Sequence, residues 1–431
     1  MNEARVSQVL AKAVAQGALS ADAPLAMFYD LGAFRAGIAA LQAAFPSATP
    51  DVPGALHTLA VKANPLAALL REARAAGMGA ECASRGELEH ALRLGFAPET
   101  IVFDSPAKTE GEIALAVARG VYLNVDNFQE LERLRRLAEQ GRPLRAGVRI
   151  NPQIGAGTVA DTSTATATSK FGVPLAENRA ALLEAYRDLP WLVGLHVHVG
   201  SIGCSLELLT EGVRATVELA REIERSTGRS LEVLDIGGGL PVDVAVEGPP
   251  AFARYAALLR ERVPDLFRYR LVTEFGRSLN ARVGWVASRV EYTKTAGGRP
   301  IAVIHAGGDL FVRAIYVPHW WTYRLTVHHP DGTPKEGPLV AQDVVGPLCF
   351  AGDRLATGRE LPRIEPGDLV VVHDAGAYTL SVWSHYNMRH APPVYGYRSD
   401  AEPRHGVRLE LLKPGETTDD VLRFWGGPAE S

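Results

Sequence analysis

Cysteine is scarce in this 431-residue chain: there are three, Cys82, Cys204 and Cys349, at wide and irregular spacing. That pattern supplies neither a disulfide framework nor a zinc site, and it suits a reducing compartment. No apolar run approaches the roughly 18 residues of a membrane-crossing helix. No continuous apolar stretch follows Met1-Asn2-Glu3-Ala4-Arg5, so a secretory signal is not expected either. An excess of one charge is also missing: the formal net charge of −4 leaves no basic field for nucleic acid. Lysine is sparse beside abundant alanine, arginine and glycine, a bias of coding rather than of chemistry. What is present, 47% hydrophobic and 22% charged residues, is an ordinary globular composition. The expectation is a cytoplasmic protein of two or three domains.

Eight short β-like runs punctuate the first two thirds of the chain: 58–64, 79–84, 101–104, 122–127, 146–151, 193–200, 233–239 and 270–276. Between them lie helix-length stretches, including 65–76, 86–94, 109–119, 128–140, 206–225 and 251–262, several with apolar residues at i, i+3, i+4 spacing. Strand–helix alternation repeated in this way predicts an α/β fold, a (β/α)8 TIM barrel. After about residue 280 the texture changes. Runs at 284–295, 300–304, 323–327 and 368–373, separated by Gly and Pro turns, predict a C-terminal antiparallel β domain. The expected organisation is an N-terminal segment, 1–25, packing on the β domain; a barrel, 26–280; and the β domain, 281–431. A small, polar, Thr-rich stretch at 155–169 follows the fifth run, and reads either as a mobile lid or as a disordered surface insertion.

In a barrel the strand ends face the catalytic side, and the residues that stand there are informative. Lys62 closes the first run, in Val61-Lys62-Ala63-Asn64-Pro65. Partial desolvation at such a place lowers an amine's pKa and frees its lone pair to attack an aldehyde such as that of pyridoxal 5'-phosphate; the other reading is a snorkelling lysine. His196 and His198 stand two apart in the sixth run, so both face one way. They could bind a metal, but no third ligand is evident and none is expected. A flat imidazole covering a planar ring suits the pair better. Gly237-Gly238-Gly239 after the seventh run lets backbone N–H groups approach a phosphate, where barrels often bind one; a tight turn is the alternative. Glu274-Phe275-Gly276-Arg277 ends the eighth run. A carboxylate there can bond a protonated pyridine nitrogen, and the arginine can clamp a phosphate or a substrate carboxylate; a rim ion pair is the plainer reading. Further on, Gly346-Pro347-Leu348-Cys349 places a thiol in a turn, and Asp374-Ala375-Gly376-Ala377-Tyr378 and Ser384-His385-Tyr386-Asn387 resemble binding loops.

Together with Ser169-Lys170-Phe171-Gly172 and His198-Val199-Gly200-Ser201, these motifs follow one another in a specific order over nearly the whole chain. In them the chain resembles the pyridoxal-phosphate-dependent decarboxylases of the alanine-racemase-like fold, nearest to diaminopimelate decarboxylase and more distantly to ornithine decarboxylase. The resemblance implies the roles that follow. Lys62 is joined to the cofactor and His198 stacks on its ring. Ser201, Gly237, Gly238, Gly239 and Tyr378 hold the phosphate, with Arg277 nearby or on a substrate carboxylate. Glu274 bonds the pyridine nitrogen, and Glu81 and Glu87 lie near the cofactor. Cys349 reaches the active site of a partner subunit and protonates the carbanion, with Lys62 as the other donor. The implied enzyme is a homodimer with shared active sites that releases CO2 from Cα of a small amino-acid substrate. Racemases of the same fold lack His-Val-Gly-Ser and Gly-Pro-x-Cys. Non-catalytic carrier proteins of the family are single barrels, and a cofactor-free barrel hydrolase is the remote third reading.

The chain departs from diaminopimelate decarboxylases at the substrate's far end. Phe350 follows the cysteine, where those enzymes usually carry a glutamate for the distal amine. Losing one charge-assisted bond costs ~1.5–3 kcal/mol. The family's arginine and tyrosine for the distal carboxylate stand four apart; here Arg313 is followed by Tyr316, three on, beside an atypical cluster of Trp320, Trp321 and Tyr323. Phe275 replaces the usual proline of Glu-Pro-Gly-Arg. The expected substrate is therefore a different amino acid, or an amino-acid group within a larger metabolite such as a siderophore precursor. A true meso-diaminopimelate decarboxylase is the alternative, and a racemase the lesser one.

Overall fold

The fold is described from a computed structural model, which describes residues 3–45, 49, 53–242, 250–318, 321–399 and 407–428. These form two compact units, 35–242 with 250–279, and 3–34 with 280–428. No helix among the described residues is long and apolar enough to cross a membrane.

The first unit is a closed parallel barrel. Its eight strands are Ala55–Ala60, Gly79–Cys82, Ile101–Asp104, Tyr122–Val125, Ala146–Asn151, Leu192–His196, Val233–Asp235 and Arg270–Glu274. Each pairs in parallel with its neighbours in sequence, and the eighth returns to the first through Glu274 opposite Thr58. A two-residue strand, Val173–Pro174, hangs off the fifth. All eight expected runs are present, most of them shorter at the C-terminal end, because the functional turns leave the ladder there. The first stops at Ala60, and Lys62 lies in a single 3-10 turn, Val61–Ala63, rather than in the strand. Pro65 cannot donate to a ladder, and the Asn64 side chain instead accepts the Leu66 N–H (3.1 Å).

The outer helices follow from their stripes and caps. Leu206–Thr227 buries Leu206, Leu209, Val213, Val217 and Ala220, an i, i+3/i+4 series. Ser205 caps its start by accepting the Leu208 N–H, and Gly228, with φ 68°, ends it in the left-handed region. Each fully buried leucine or valine contributes roughly 1.5–3 kcal/mol. Glu110–Arg119 starts on a capping box between Thr109 and Glu112. The helix Leu175–Asp188 was not anticipated; it supplies the crossover between the fifth and sixth strands.

The second unit is a nine-stranded sheet. The anticipated strands appear as Gly284–Ala296, Arg299–Ile304, Leu325–His328 and Leu369–Val372, joined by Leu25–Asp30, Leu339–Val345, Arg354–Pro362, Val394–Ser399 and Val407–Lys413. Most ladders are antiparallel, but the sheet is mixed: Leu25–Asp30 runs parallel to Val394–Ser399, and Arg299–Ile304 to Leu339–Val345. The helix Glu3–Ala15 buries Val6, Val9, Leu10 and Ala13 in one cluster with Phe28, Trp285, Val371 and Tyr397. Phe28 stacks on Trp285 with ring centres 4.3 Å apart.

Candidate active site

The C-terminal ends of the barrel strands bring together most of the singled-out residues of this unit. The Lys62 ammonium lies 2.5 and 2.6 Å from the two oxygens of Glu81, which ends the second strand fully buried. The Lys62 side chain is 37% exposed, so it is reachable as well as paired. Burial, only partly offset by the Lys62 charge, pushes the Glu81 carboxyl up to about 7. Glu87 serves locally, accepting the Ala83 N–H at 2.7 Å while Ser84 caps the following helix.

His198 stands two residues past the end of the sixth strand. Gly238 N–H donates to its Nδ1 (3.2 Å), which makes that nitrogen an acceptor and leaves the ring neutral, with its proton on Nε2. Burial, helped by the charges of Arg149 and Lys62, lowers its pKa to about 3. The glycine turn is compact. Gly237 and Gly239 have φ of 65° and 86°, and a Cβ on Gly239 would lie 2.1 Å from the Gly200 carbonyl oxygen. Gly237 N–H is already given to Asp235 Oδ1 (2.9 Å). Gly239 is thus the member of the triplet whose amide has no partner among the described residues. Arg277 Nε reaches Ser201 Oγ at 3.4 Å, so the two anion-binding candidates lie side by side. Phe275 is buried against Phe252, a packing role that answers the missing proline.

The Thr-rich stretch lies hydrogen-bonded against the segment that follows the sixth strand. Thr164 N–H donates to Val199 O (2.8 Å), Ser201 N–H to Thr162 O (3.0 Å) and Thr158 N–H to Gly203 O (3.0 Å), while Thr164 Oγ1 bonds the His198 carbonyl. It braces the segment that carries His198 and Ser201.

Beneath these groups the barrel holds a layer that the sequence reading missed. Barrels normally fill this level with branched apolar side chains. Here it carries Asp104, Asn124, Arg149, His196, Asp235 and Glu274, all buried. Arg149 Nη1 meets Asp104 Oδ2 at 2.8 Å, and Asn124 Nδ2 meets Asp235 Oδ2 at 2.9 Å. These bonds join strands that are not neighbours in the ladder, so they cross the barrel interior. The signal was there: each residue lies at or near the end of its strand, and Asp235 opens the glycine motif. The His196 pair expected to lack a third metal ligand does have acidic neighbours, since Asp104, His196 and Glu274 offer donor atoms within 4.8 Å of one another. Each ring nitrogen of His196 faces a carboxylate, however, and Arg149 already neutralises Asp104, so the arrangement suits protons better than a metal ion.

Within this layer Glu274 is the carboxylate with neither oxygen hydrogen-bonded among the described residues. It is 3% exposed. Burial and the charge of Asp235 raise its pKa well above the ordinary range. A buried carboxylate without a donor calls for a cationic N–H from outside the chain. A pyridinium meets that need, while the glycine turn, Ser201 and Arg277 suit a phosphate and Lys62 an aldehyde. The residues present therefore fit pyridoxal phosphate.

The second unit carries the remaining candidates. Cys349 is exposed; its N–H donates to Asn387 Oδ1 (2.8 Å), and its carbonyl accepts from the Tyr386 hydroxyl (3.2 Å). Asp353 fixes the turn by accepting from Gly308 N and Leu348 N. Phe350 stacks on Tyr316, centres 5.2 Å apart and planes 13° off parallel; the two are 40% and 49% exposed. Arg313 and Tyr316 share the one-turn helix Val312–Tyr316, but Arg313 lies over the Tyr378 ring, 4.2 Å from its centre. Tyr378 itself adopts φ 55°. Trp321 packs edge-on to Tyr323, while Trp320 lies outside the described residues.

A closed barrel with a lysine, a buried unpaired carboxylate and a glycine turn at its C-terminal face suits a pyridoxal-phosphate enzyme. Residues 37–281 match the family model described as pyridoxal-dependent decarboxylase, pyridoxal binding domain. A diaminopimelate decarboxylase of Pseudomonas aeruginosa is 34% identical over 90% of this chain and 88% of its own length. One from Aquifex aeolicus is 34% identical over 80% and 81%. The crystal structure of diaminopimelate decarboxylase from Helicobacter pylori complexed with L-lysine superposes with a TM-score of 0.81 at 28% identity, covering 93% of this chain and 96% of that one. The chain belongs to the pyridoxal-dependent decarboxylases: it is a lyase that uses pyridoxal phosphate on an amino-acid substrate.

Proposed function

We propose that this decarboxylase acts on an amino acid, or on an amino-acid group within a larger metabolite, whose far end does not require a carboxylate partner. The observation that carries this is Phe350 beside Cys349, its ring stacked on Tyr316. The pair offers dispersion, cation–π contact and the neutral Tyr316 hydroxyl, but no carboxylate to meet an ammonium group. The second reading, meso-diaminopimelate itself as substrate, is favoured by relatives named diaminopimelate decarboxylase along most of the chain.

Pyridoxal phosphate, when bound, supplies an aldehyde for the amine and an electron-poor ring that accepts the electron pair left as CO2 departs. The chain's own residues would do the rest. Lys62 would hold the cofactor through its amine. His198, neutral and flat, covers one face of the ring. Gly239, Ser201 and Arg277 take the phosphate, with Gly237 and Gly238 shaping the turn. Glu274 accepts the ring N–H and keeps the ring cationic. Cys349 returns a proton to Cα, with Lys62 as the other donor. The exposed thiol reaches that carbon from a second copy of the chain, so the working unit is a homodimer with shared sites, and the compartment is the cytoplasm.

The test is CO2 release from cofactor-loaded protein with meso-diaminopimelate, D- and L-lysine, D- and L-ornithine, L-arginine and a citryl-diaminopropionate conjugate, for the wild type and Phe350→Glu. The expected result is weak release from diaminopimelate that rises about 10–150-fold in Phe350→Glu. High wild-type turnover of diaminopimelate, unchanged in the variant, would establish the second reading instead.

A further inference from the structure

His196, which ends the sixth strand, and His198, two residues beyond it, occupy opposite electrostatic settings. His198 accepts an N–H at Nδ1. His196, fully buried, has Nδ1 3.2 Å from Asp235 Oδ2 and 4.0 Å from Glu274 Oε1, and Nε2 3.5 Å from Asp104 Oδ2. Both ring nitrogens of His196 therefore face acceptors. Neither nitrogen makes a hydrogen bond of good geometry among the described residues, so the contacts are those of charge. A neutral ring would set one lone pair against a carboxylate, whereas an imidazolium places positive charge toward both sides. The groups around the ring are Asp104 with Arg149 on its far side, Asp235 with Asn124, Glu274 and His198. Burial alone would push His196 down, but the charges of Asp235, Glu274 and Asp104 together outweigh it and hold the ring well above the usual histidine range.

We propose that His196 is a positioning residue, an imidazolium clamped between Asp104 and Asp235, which biases the proton shared by Glu274 and the cofactor's ring nitrogen toward the ring. This rests on the reading above that Glu274 faces that nitrogen. A cation beside the Glu274 carboxylate lowers its affinity for a proton, and it acts on the ring only through that carboxylate. The same clamp reaches the phosphate end, since Asp235 Oδ1 holds the N–H of Gly237. One buried cation thus ties the electronic and anchoring ends of the site together.

The test uses full-length protein labelled with 15N-histidine, together with His196→Asn and His196→Lys. In cofactor-free wild type, the ring signals absent from His196→Asn are expected at imidazolium shifts for both nitrogens at pH values above the ordinary titration of histidine. In loaded protein, the 15N shift of the cofactor's ring nitrogen is expected to move toward the unprotonated value in His196→Asn and to return in His196→Lys. With these shifts kcat should fall about 10–100-fold with little change in KM. A neutral His196 at pH 7, or a ring nitrogen indifferent to both substitutions, overturns the proposal. If His196→Asn does not fold, His196→Lys serves for the assignment. Borohydride fixation of cofactor to Lys62, abolished in Lys62→Ala, is run in parallel. If fixation succeeds while the nitrogen shifts stay put, only this proposal fails; if wild type shows no fixation at Lys62, the cofactor reading itself fails.

Discussion

The barrel's inner level and the sheet unit's main cluster bury opposite kinds of side chain. The barrel's inner level holds Asp104, Arg149, His196, Asp235 and Glu274, whereas the sheet unit's main cluster is Val6, Leu10, Phe28, Trp285 and Val371. A charged interior is a poor source of stability, because desolvation offsets much of the attraction. An apolar cluster stabilises in proportion to the area it removes from water. The barrel can carry its polar level because its helices bury apolar stripes on the outside, as Leu206–Thr227 does. The lesson is a division of labour: the barrel's inner level is organised for protons, and the sheet's cluster for cohesion.

The largest effects are expected at the centre of each level. Arg149→Met removes the partner of buried Asp104 and should cost ~3–5 kcal/mol by urea unfolding, with loss of decarboxylation as well. Trp285→Ala should cost a similar ~3–5 kcal/mol by cavity formation, followed through the near-ultraviolet signal of the aromatic cluster. If Arg149→Met left both stability and CO2 release intact, the polar level would not be the organised network described above. A smaller effect sharpens the contrast through pH. Burial lowers the His57 pKa from 6.5 to about 4, and the ring lies 2.8 Å from Thr273 Oγ1. Between those values the unfolded chain binds the proton and the folded barrel does not, so stability is intact above pH 6.5 and declines as pH falls toward about 4. The expected loss is about 3 kcal/mol at about 1.4 kcal/mol per unit, and His57→Gln should flatten that slope in unfolding curves measured across the window. Smallest is Thr109→Ala at the capping box, ~1 kcal/mol, which should leave CO2 release unchanged; a large loss of activity there would tie the outer helices to the chemistry.

The barrel was legible because its motifs fall at strand ends and its helices carry their stripes in local sequence. The sheet unit was less so. Leu25–Asp30 is buried at its four central positions and shows no alternation. Arg354–Pro362 reads Arg-Leu-Ala-Thr-Gly-Arg-Glu-Leu-Pro, too polar to announce a strand. Of the site, Lys62, His198, the glycine triplet, Glu274 and Arg277 could be singled out one by one. The network under them was legible only as polar residues at or near strand ends, because the pairing of Asp104, Arg149 and Asp235 appears only when the closed barrel sets them face to face.

By itself the sequence determined the alternation that makes a barrel, the order of the cofactor motifs and the replacement of an acidic residue by Phe350, since each of these is written within a few consecutive residues. Only the tertiary structure decided that Lys62 meets Glu81, that the Thr-rich stretch braces His198, and that His198 is neutral while His196 sits among carboxylates. Charge states of buried groups depend on neighbours brought in from distant strands, and no local pattern carries that information.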